Sequence, residues 1–270
     1  MAEVSIIMGT YNGAASIGKA IESIINQTFK DWEFIICDDG STDNTIDVVN
    51  EYIKRDGRIS LIKNEVNQGL AVSLNKCLAM CSGKYIARMD DDDVSHADRI
   101  EKELFFLTNN PNYHIVSTGR YLFDDNGVWG KDDRSGEVTS LDVFKGNFFV
   151  HPTVLIRKEA YDIVDGYSED KAIGREEDTD LWCKMYASGL KGYILGDILF
   201  DYYESRESMK RRKYKFRVIE YKLKKKYRKK LGIPFKYFFY EIKPLLVGLV
   251  PNFIIRRRHK RLFNYNESTK

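Results

Sequence analysis

Apolar residues in the first hundred positions fall into short solid runs, separated by polar loops and by stretches with helical spacing. Val4 to Met8 is a β-type run that ends in Gly9-Thr10-Tyr11-Asn12-Gly13. Ile17, Ile21, Ile24 and Ile25 then recur along a helical face. The unit repeats at once: Trp32 to Cys37 reads as a strand, Asp38-Asp39-Gly40-Ser41-Thr42-Asp43 as a loop, and Ile46, Val49 and Ile53 as one side of a helix. A third strand is expected over Ile59–Lys63, a turn at Asn67-Gln68-Gly69, a helix over Leu70–Cys81 and a fourth strand over Lys84–Met89. Such alternation predicts an α/β fold with a mostly parallel sheet and helices on both faces.

Beyond residue 97 the pattern is less regular. It predicts a helix over Asp98–Thr108, a strand over His114–Phe123, a turn-rich stretch from Asp124 to Gly136, and a strand over Thr153–Arg157. A helix over Glu177–Ser188 and a strand over Tyr193–Tyr203 follow. Phe216, Ile219, Leu223, Tyr227 and Leu231 then share one face of a basic amphipathic helix. Residues 235–255 are apolar and aromatic, but Lys236, Glu241, Lys243, Pro244 and Pro251 interrupt them, short of the roughly 20 apolar residues a bilayer span needs. These shifts divide the chain into a body over 1–205, with halves at 1–110 and 111–205, and a basic tail over 206–270.

Charge sharpens that division. The 270-residue chain has a net charge of only +3, yet residues 206–270 carry 22 Lys+Arg against 4 Glu, while residues 1–205 carry 21 against 36 acids. An acidic body suits metal ions, and a basic tail suits phosphates of lipid headgroups or nucleic acid. The aromatic run Tyr237-Phe-Phe-Tyr240 among the basic residues favours an anionic membrane surface over nucleic acid, and packing on the body or on a second subunit, as in a homodimer, stays open. Cys37, Cys77, Cys81 and Cys183 lack the spacing of a zinc site and read as reduced thiols. With no secretory pattern at Met1-Ala-Glu-Val, a cytoplasmic location is expected.

The chemistry is expected where strands end, because open α/β sheets collect ligands in the loops beyond their carboxyl ends. Asp90-Asp91-Asp92-Asp93 follows the fourth strand, and four carboxylates on so short a backbone repel one another unless a hard cation sits among them. A solvated acidic turn is the alternative. Asp38-Asp39-Gly40-Ser41 is ordinary turn chemistry by itself, but at a buried strand end a carboxylate there can accept the ring N–H of a uracil, with Tyr11 stacked on the base. Arg175-Glu176-Glu177-Asp178-Thr179-Asp180-Leu181-Trp182 combines acids with a helix start, where they are favoured electrostatically; one of these carboxylates can also serve as a general base. His151, before Pro152, suits a site role or plain packing.

Together the motifs Val4-Ser-Ile-Ile-Met-Gly-Thr-Tyr-Asn12, Ser23-Ile-Ile-Asn-Gln-Thr-Phe29, Cys37-Asp-Asp-Gly-Ser-Thr-Asp43, Asn67-Gln-Gly-Leu70, Ala87-Arg-Met-Asp-Asp-Asp-Asp93, His151-Pro152 and Glu177-Asp-Thr-Asp-Leu-Trp182 resemble a bacterial family 2 glycosyltransferase of GT-A fold over residues 3–205. The resemblance implies inverting transfer from a UDP-sugar, with Mg2+ or Mn2+, to an acceptor hydroxyl, as on a lipid-linked glycan at the inner face of the cytoplasmic membrane. It implies that Thr10, Tyr11 and Asp39 contact the uridine, with Asp38, Asn67, Gly69, Asp90 and Asp91 in the donor site. Asp92 and Asp90 would hold the metal, Asp178 would be the base with Glu177 beside it, and His151 and Trp182 would face the acceptor. The all-aspartate run leaves the metal frame open. A nucleotidyltransferase is the other enzymatic reading, but Gly9-Thr10-Tyr11-Asn12-Gly13 offers no cation for a triphosphate. A membrane- or RNA-binding protein acting through its tail is the non-enzymatic one.

Overall fold

The computed structural model describes residues 2–205 and 214–251, with 254, 255, 257 and 263. Strand β1 (Val4–Thr10) is buried at every position: Ile6 and Met8 enter one core and Ile7 the other. A strand apolar on both faces needs a layer on each side, and two helical layers supply it. Helices α1 (Ile17–Ile25), α2 (Thr45–Arg55) and α4 (Arg99–Asn109) bury one face with Ile17, Ile21, Val49, Ile100 and Leu104. Helices α3 (Leu70–Met80), α5 (Ser140–Lys145), α6 (Lys158–Val164) and α7 (Glu177–Ala187) cover the other, through Leu74, Phe144, Tyr161 and Leu181.

Strands β2 (Trp32–Asp38), β3 (Ile59–Lys63) and β4 (Tyr85–Arg88) lie parallel with β1 in the order β3-β2-β1-β4. The chain moves outward from β1 to β3, then returns to β1's other edge as β4, which makes a topological switch point between β1 and β4. The sheet continues through β9 (Val154–Arg157), antiparallel to β4, to β6 (Ile115–Asp124), β10 (Gly192–Tyr203) and β5 (Val94–Ser95). The sheet is thus wholly parallel in its first half and mixed in its second.

The stretch expected as turns over 124–136 instead holds β7 (Gly127–Asp132), an antiparallel partner of β6, and the start of β8 (Gly136–Val138), which pairs with β10. Helix α5, capped by a Thr139–Asp142 capping box, and helix α6 were also not foreseen.

Helix α8 (Tyr214–Tyr227) forms as expected, but its apolar face turns inward. Leu223, Tyr227 and Leu231 join the α7-side core, with Ile219 at its margin, so this stripe is not free for a membrane. Helix α9 (Phe238–Val247) follows, with Pro244 inside it. The parts of the expected tail at 206–213 and most of 252–270 lie outside the described residues. Among the described residues no helix is long and apolar enough to cross a membrane.

Candidate functional site

The loops after β1, β2 and β4 meet at the switch point. Asn12 ties the first two: its Oδ1 accepts from Thr42 N at 2.8 Å, and its own N donates to Ser41 Oγ at 2.9 Å. Asp39 N donates to Thr10 O at 2.8 Å. Thr10 Oγ1 donates to Asp91 Oδ2, which joins β1 to the aspartate run. Gly13 lies between them; a Cβ there would sit 2.3 Å from Asp91 Oδ2 and 2.7 Å from Thr10 Oγ1, so only glycine permits this approach. Tyr11, 49% exposed, stands at the mouth.

The paired acids of the second loop divide their work. Asp39 accepts from Asn64 Nδ2 at 2.8 Å, Gln68 N at 2.9 Å and Gly69 N at 2.8 Å, and so fixes the turn that carries Asn67 and Gly69. Three donors leave one lone pair of the roughly four a carboxylate offers. Asp38 Oδ2 accepts from Gly40 N and Ser41 N, while its buried Oδ1 has no hydrogen-bond partner among the described residues. Asn67 is exposed beside this pair.

The four aspartates also separate. Asp90 Oδ1 pairs with Arg88 Nη1, Asp91 is held by Thr10, and Asp93 turns inward, accepting from Tyr203 N at 2.7 Å. The Asp92 side chain is exposed. Desolvation by the surrounding protein, then Asp90 and Asp91, push its carboxyl up to about 7. Burial first, with Asp90 opposing ionisation too, raises Asp91 and raises Asp93 well above the usual range. This mutual repulsion is what a dication would relieve, and an all-oxygen set suits Mg2+ or Mn2+. No described group of three or more His, Cys, Asp or Glu forms a ready metal cage. The residues still fit, because such ions take one or two carboxylates and complete their shell with substrate phosphates and water.

Arg88, missed in the sequence, is the hub of the site. It is 1% exposed at the end of β4. Burial would weaken its charge, but Asp90, Tyr167 and Asp93 outweigh that and hold its pKa above the ordinary guanidinium value. The available signal was a cation closing an apolar strand directly ahead of an acidic run.

The acids that begin α7 face the same charges. Burial and Asp178 push Glu177 up to about 7; Arg88 and Asp90 also act on it. Glu176, of the same acidic run, is pushed to about 7 by burial, then by Glu220 and Asp178. Burial likewise raises Asp178, against the pull of Thr179 and Arg88. Asp178 Oδ1 accepts from Thr179 N at 2.6 Å and from Thr179 Oγ1 at 3.2 Å.

The two residues expected at the acceptor lie inward. Trp182 is 0% exposed and meets Phe149 edge-on. His151, 9% exposed, bonds through Nε2 to Tyr167 Oη at 2.8 Å, and burial with Arg88 holds its pKa well below the usual imidazole value. Both side chains face inward because they fill the core beneath α7 rather than its outer end.

The model of the glycosyl transferase family 2 matches residues 5–177. The chain is 37% identical over 267 residues to "Putative glycosyltransferase EpsE" of Bacillus subtilis strain 168, covering 98% of this chain and 96% of that protein. It is 37% identical over 128 residues, 47% of this chain and 49% of the other, to "UDP-Glc:alpha-D-GlcNAc-diphosphoundecaprenol beta-1,3-glucosyltransferase WfgD" of Escherichia coli. Among solved structures, mannosyltransferase PcManGT from Pyrobaculum calidifontis, in complex with GDP-Man and Mn2+, superposes with a TM-score of 0.64 at 16% identity, over 96% of this chain and 80% of that one. At that identity the likeness concerns the fold alone, which is that of GT-A glycosyltransferases.

Proposed function

The chain belongs to glycosyl transferase family 2 and is a glycosyltransferase, and we propose that it moves a hexose or N-acetylhexosamine from a UDP-sugar to an acceptor hydroxyl with inversion. The observation that carries this reading is the meeting, at the β1/β4 switch point, of the Thr10–Asp39 loops, the aspartate run and the acids of α7. WfgD, by its name, takes UDP-Glc to a diphosphoundecaprenol-linked sugar, which supports a UDP donor and a lipid-linked glycan acceptor here.

In this reading Tyr11 lies against the uracil, Thr10 and Asp39 border the uridine, and the unmet Oδ1 of Asp38 is the acceptor nearest to hand for the ring N–H. Asn67 and Gly69 belong to the same wall, and Asp90 and Asp91 lie toward the ribose and donor sugar. Asp92, with Asp90, would hold Mg2+ or Mn2+, which when bound offsets the charge of the diphosphate leaving group. Asp178 takes the proton of the acceptor hydroxyl on Oδ2, since Oδ1 is engaged by Thr179. The freed oxygen bonds to the anomeric carbon as its bond to the diphosphate breaks, and UDP departs. Glu177 stands beside the base as a second acid. Inversion turns an α-linked donor into a β-linked product.

A lipid-linked acceptor is compatible with docking at an anionic membrane. Phe235, Phe239, Leu246 and Leu249 are exposed, with Lys236 and Lys243 among them. The deciding experiment measures UDP release from UDP-glucose, UDP-galactose and their N-acetyl forms in Mn2+. Asp178→Asn should abolish transfer and leave UDP affinity within about twofold, as for loss of a group acting only in the transition state. Loss of UDP binding together with transfer would refute the base assignment.

A further inference from the structure

Helix α8 makes a buried polar contact with α7, the helix whose first turn carries the proposed base. Asp180 of α7 is fully buried. Its Oδ1 accepts from Tyr227 Oη at 2.8 Å and from Lys226 Nζ at 3.2 Å, both on α8. Its Oδ2 has no hydrogen-bond partner among the described residues. A buried carboxylate is costly unless gripped by donors, and α8 supplies the grip. The first half of α8 also covers the approach to α7: a Cβ on Gly174 would lie 3.1 Å from Ile219 Cδ1 and 3.7 Å from Phe216 Cε1. Leu223 and Tyr227 share a core with Leu181, Trp182 and Cys183.

The spacing along α7 gives this contact its consequence. Residues two apart on an α-helix point roughly 200° from each other. Asp180 is therefore held on the face toward α8, while Asp178 projects from nearly the opposite face. Fixing the rotation of the helix through Asp180 fixes the direction of Asp178.

We propose that α8 is part of the catalytic apparatus, with Tyr227 as a positioning residue that sets α7, and through it Asp178, by its hydrogen bond to Asp180. This rests on the reading of Asp178 as the base. The ring of Tyr227 supplies packing, and its hydroxyl sets the rotation of the helix.

The test compares full-length Tyr227→Phe, which keeps the ring, with Leu231→Ala, which loosens the same core contact without touching Asp180. Transfer from the UDP-sugar that supports UDP release is measured well below each variant's unfolding midpoint. Hydrogen exchange is followed over residues 175–182. Tyr227→Phe should lower kcat about tenfold per folded molecule, with donor KM within about twofold, because displacing a base by a fraction of an ångström acts on the transition state. Exchange at the start of α7 should rise in the same variant. Leu231→Ala should lower the unfolding midpoint and leave kcat per folded molecule unchanged. An unchanged kcat in Tyr227→Phe, or an equal fall in both variants, overturns the positioning role. Transfer that survives Asp178→Asn overturns the base assignment instead, so the two failures are told apart.

Discussion

The hydroxyl of Thr10, the last residue of β1, donates to the carboxylate of Asp91, which follows β4. The bond carries the pairing of β1 with β4 beyond the last paired residues, Ile7 and Arg88, toward the loops that follow. Thr10→Val keeps the shape and removes the donor. Losing one hydrogen bond to a charged group is expected to cost about 1.5–3 kcal/mol, and a share of it should appear as weaker UDP binding in Mn2+, by roughly five- to twentyfold. Titration calorimetry with and without EDTA measures this; affinity equal to the wild type would show that the bridge does not shape the donor site.

Asp92 and Asp93 should respond in opposite ways. Asp92→Ala is expected to remove the EDTA-sensitive part of UDP affinity without lowering stability, because the side chain is exposed and its charge opposes those of Asp90 and Asp91. Asp93→Ala, which removes a buried carboxylate, leaves Tyr203 N without its acceptor and should lower stability by about 1–3 kcal/mol in urea unfolding. A variant pair with those effects exchanged would move the metal frame by one residue.

The raised carboxyls imply a pH dependence whose sign can be worked out. Asp92, Glu176 and Glu177 each titrate near pH 7 in the folded chain and at the ordinary carboxyl value once unfolded. Between those values the folded state holds protons that the unfolded state has released, so rising pH removes stability across the window from about 4 to about 7. A cation on Asp92 must displace its proton. Stabilisation by Mn2+ with UDP should therefore grow as pH rises from about 5.5 to about 8, by up to about tenfold in affinity per pH unit for each proton displaced. Thermal shifts at the two pH values, with and without Mn2+ and UDP, give the reading. A shift that shrinks with pH would contradict it.

Arg88→Gln should be among the most damaging single changes in the body. It leaves Asp90 unpaired and strips Asp93 and Glu177 of a nearby positive charge. Arg88 is buried but Asp90 is 28% exposed, so the cost should lie below the about 3–5 kcal/mol of a wholly buried pair broken by removing one partner. Urea unfolding measures this, and a loss under about 1 kcal/mol would mean that the charges of the site rearrange without it.

The two strand-loop-helix units, the acids after β2 and β4 and the change of character beyond residue 205 are all legible along the chain. Those features depend on spacing within one element, and spacing is local. It could not say what covers an apolar face. Phe216, Ile219, Leu223, Tyr227 and Leu231 carry a stripe that suits a membrane, and only tertiary packing turned Leu223, Tyr227 and Leu231 onto the core beside α7. Trp182 and His151 belong to motifs that the sequence places near the candidate site, yet both side chains are buried, and burial is settled by packing rather than by motif. Strand β8 gains its order from β10, a later element, and leaves little trace in its own polar sequence, whereas β7 forms a hairpin with the adjoining β6 across Asp125-Asn126, a turn the local sequence does encode. The division of labour among four identical aspartates was likewise decided by Arg88, Thr10 and Tyr203, which meet them only after folding.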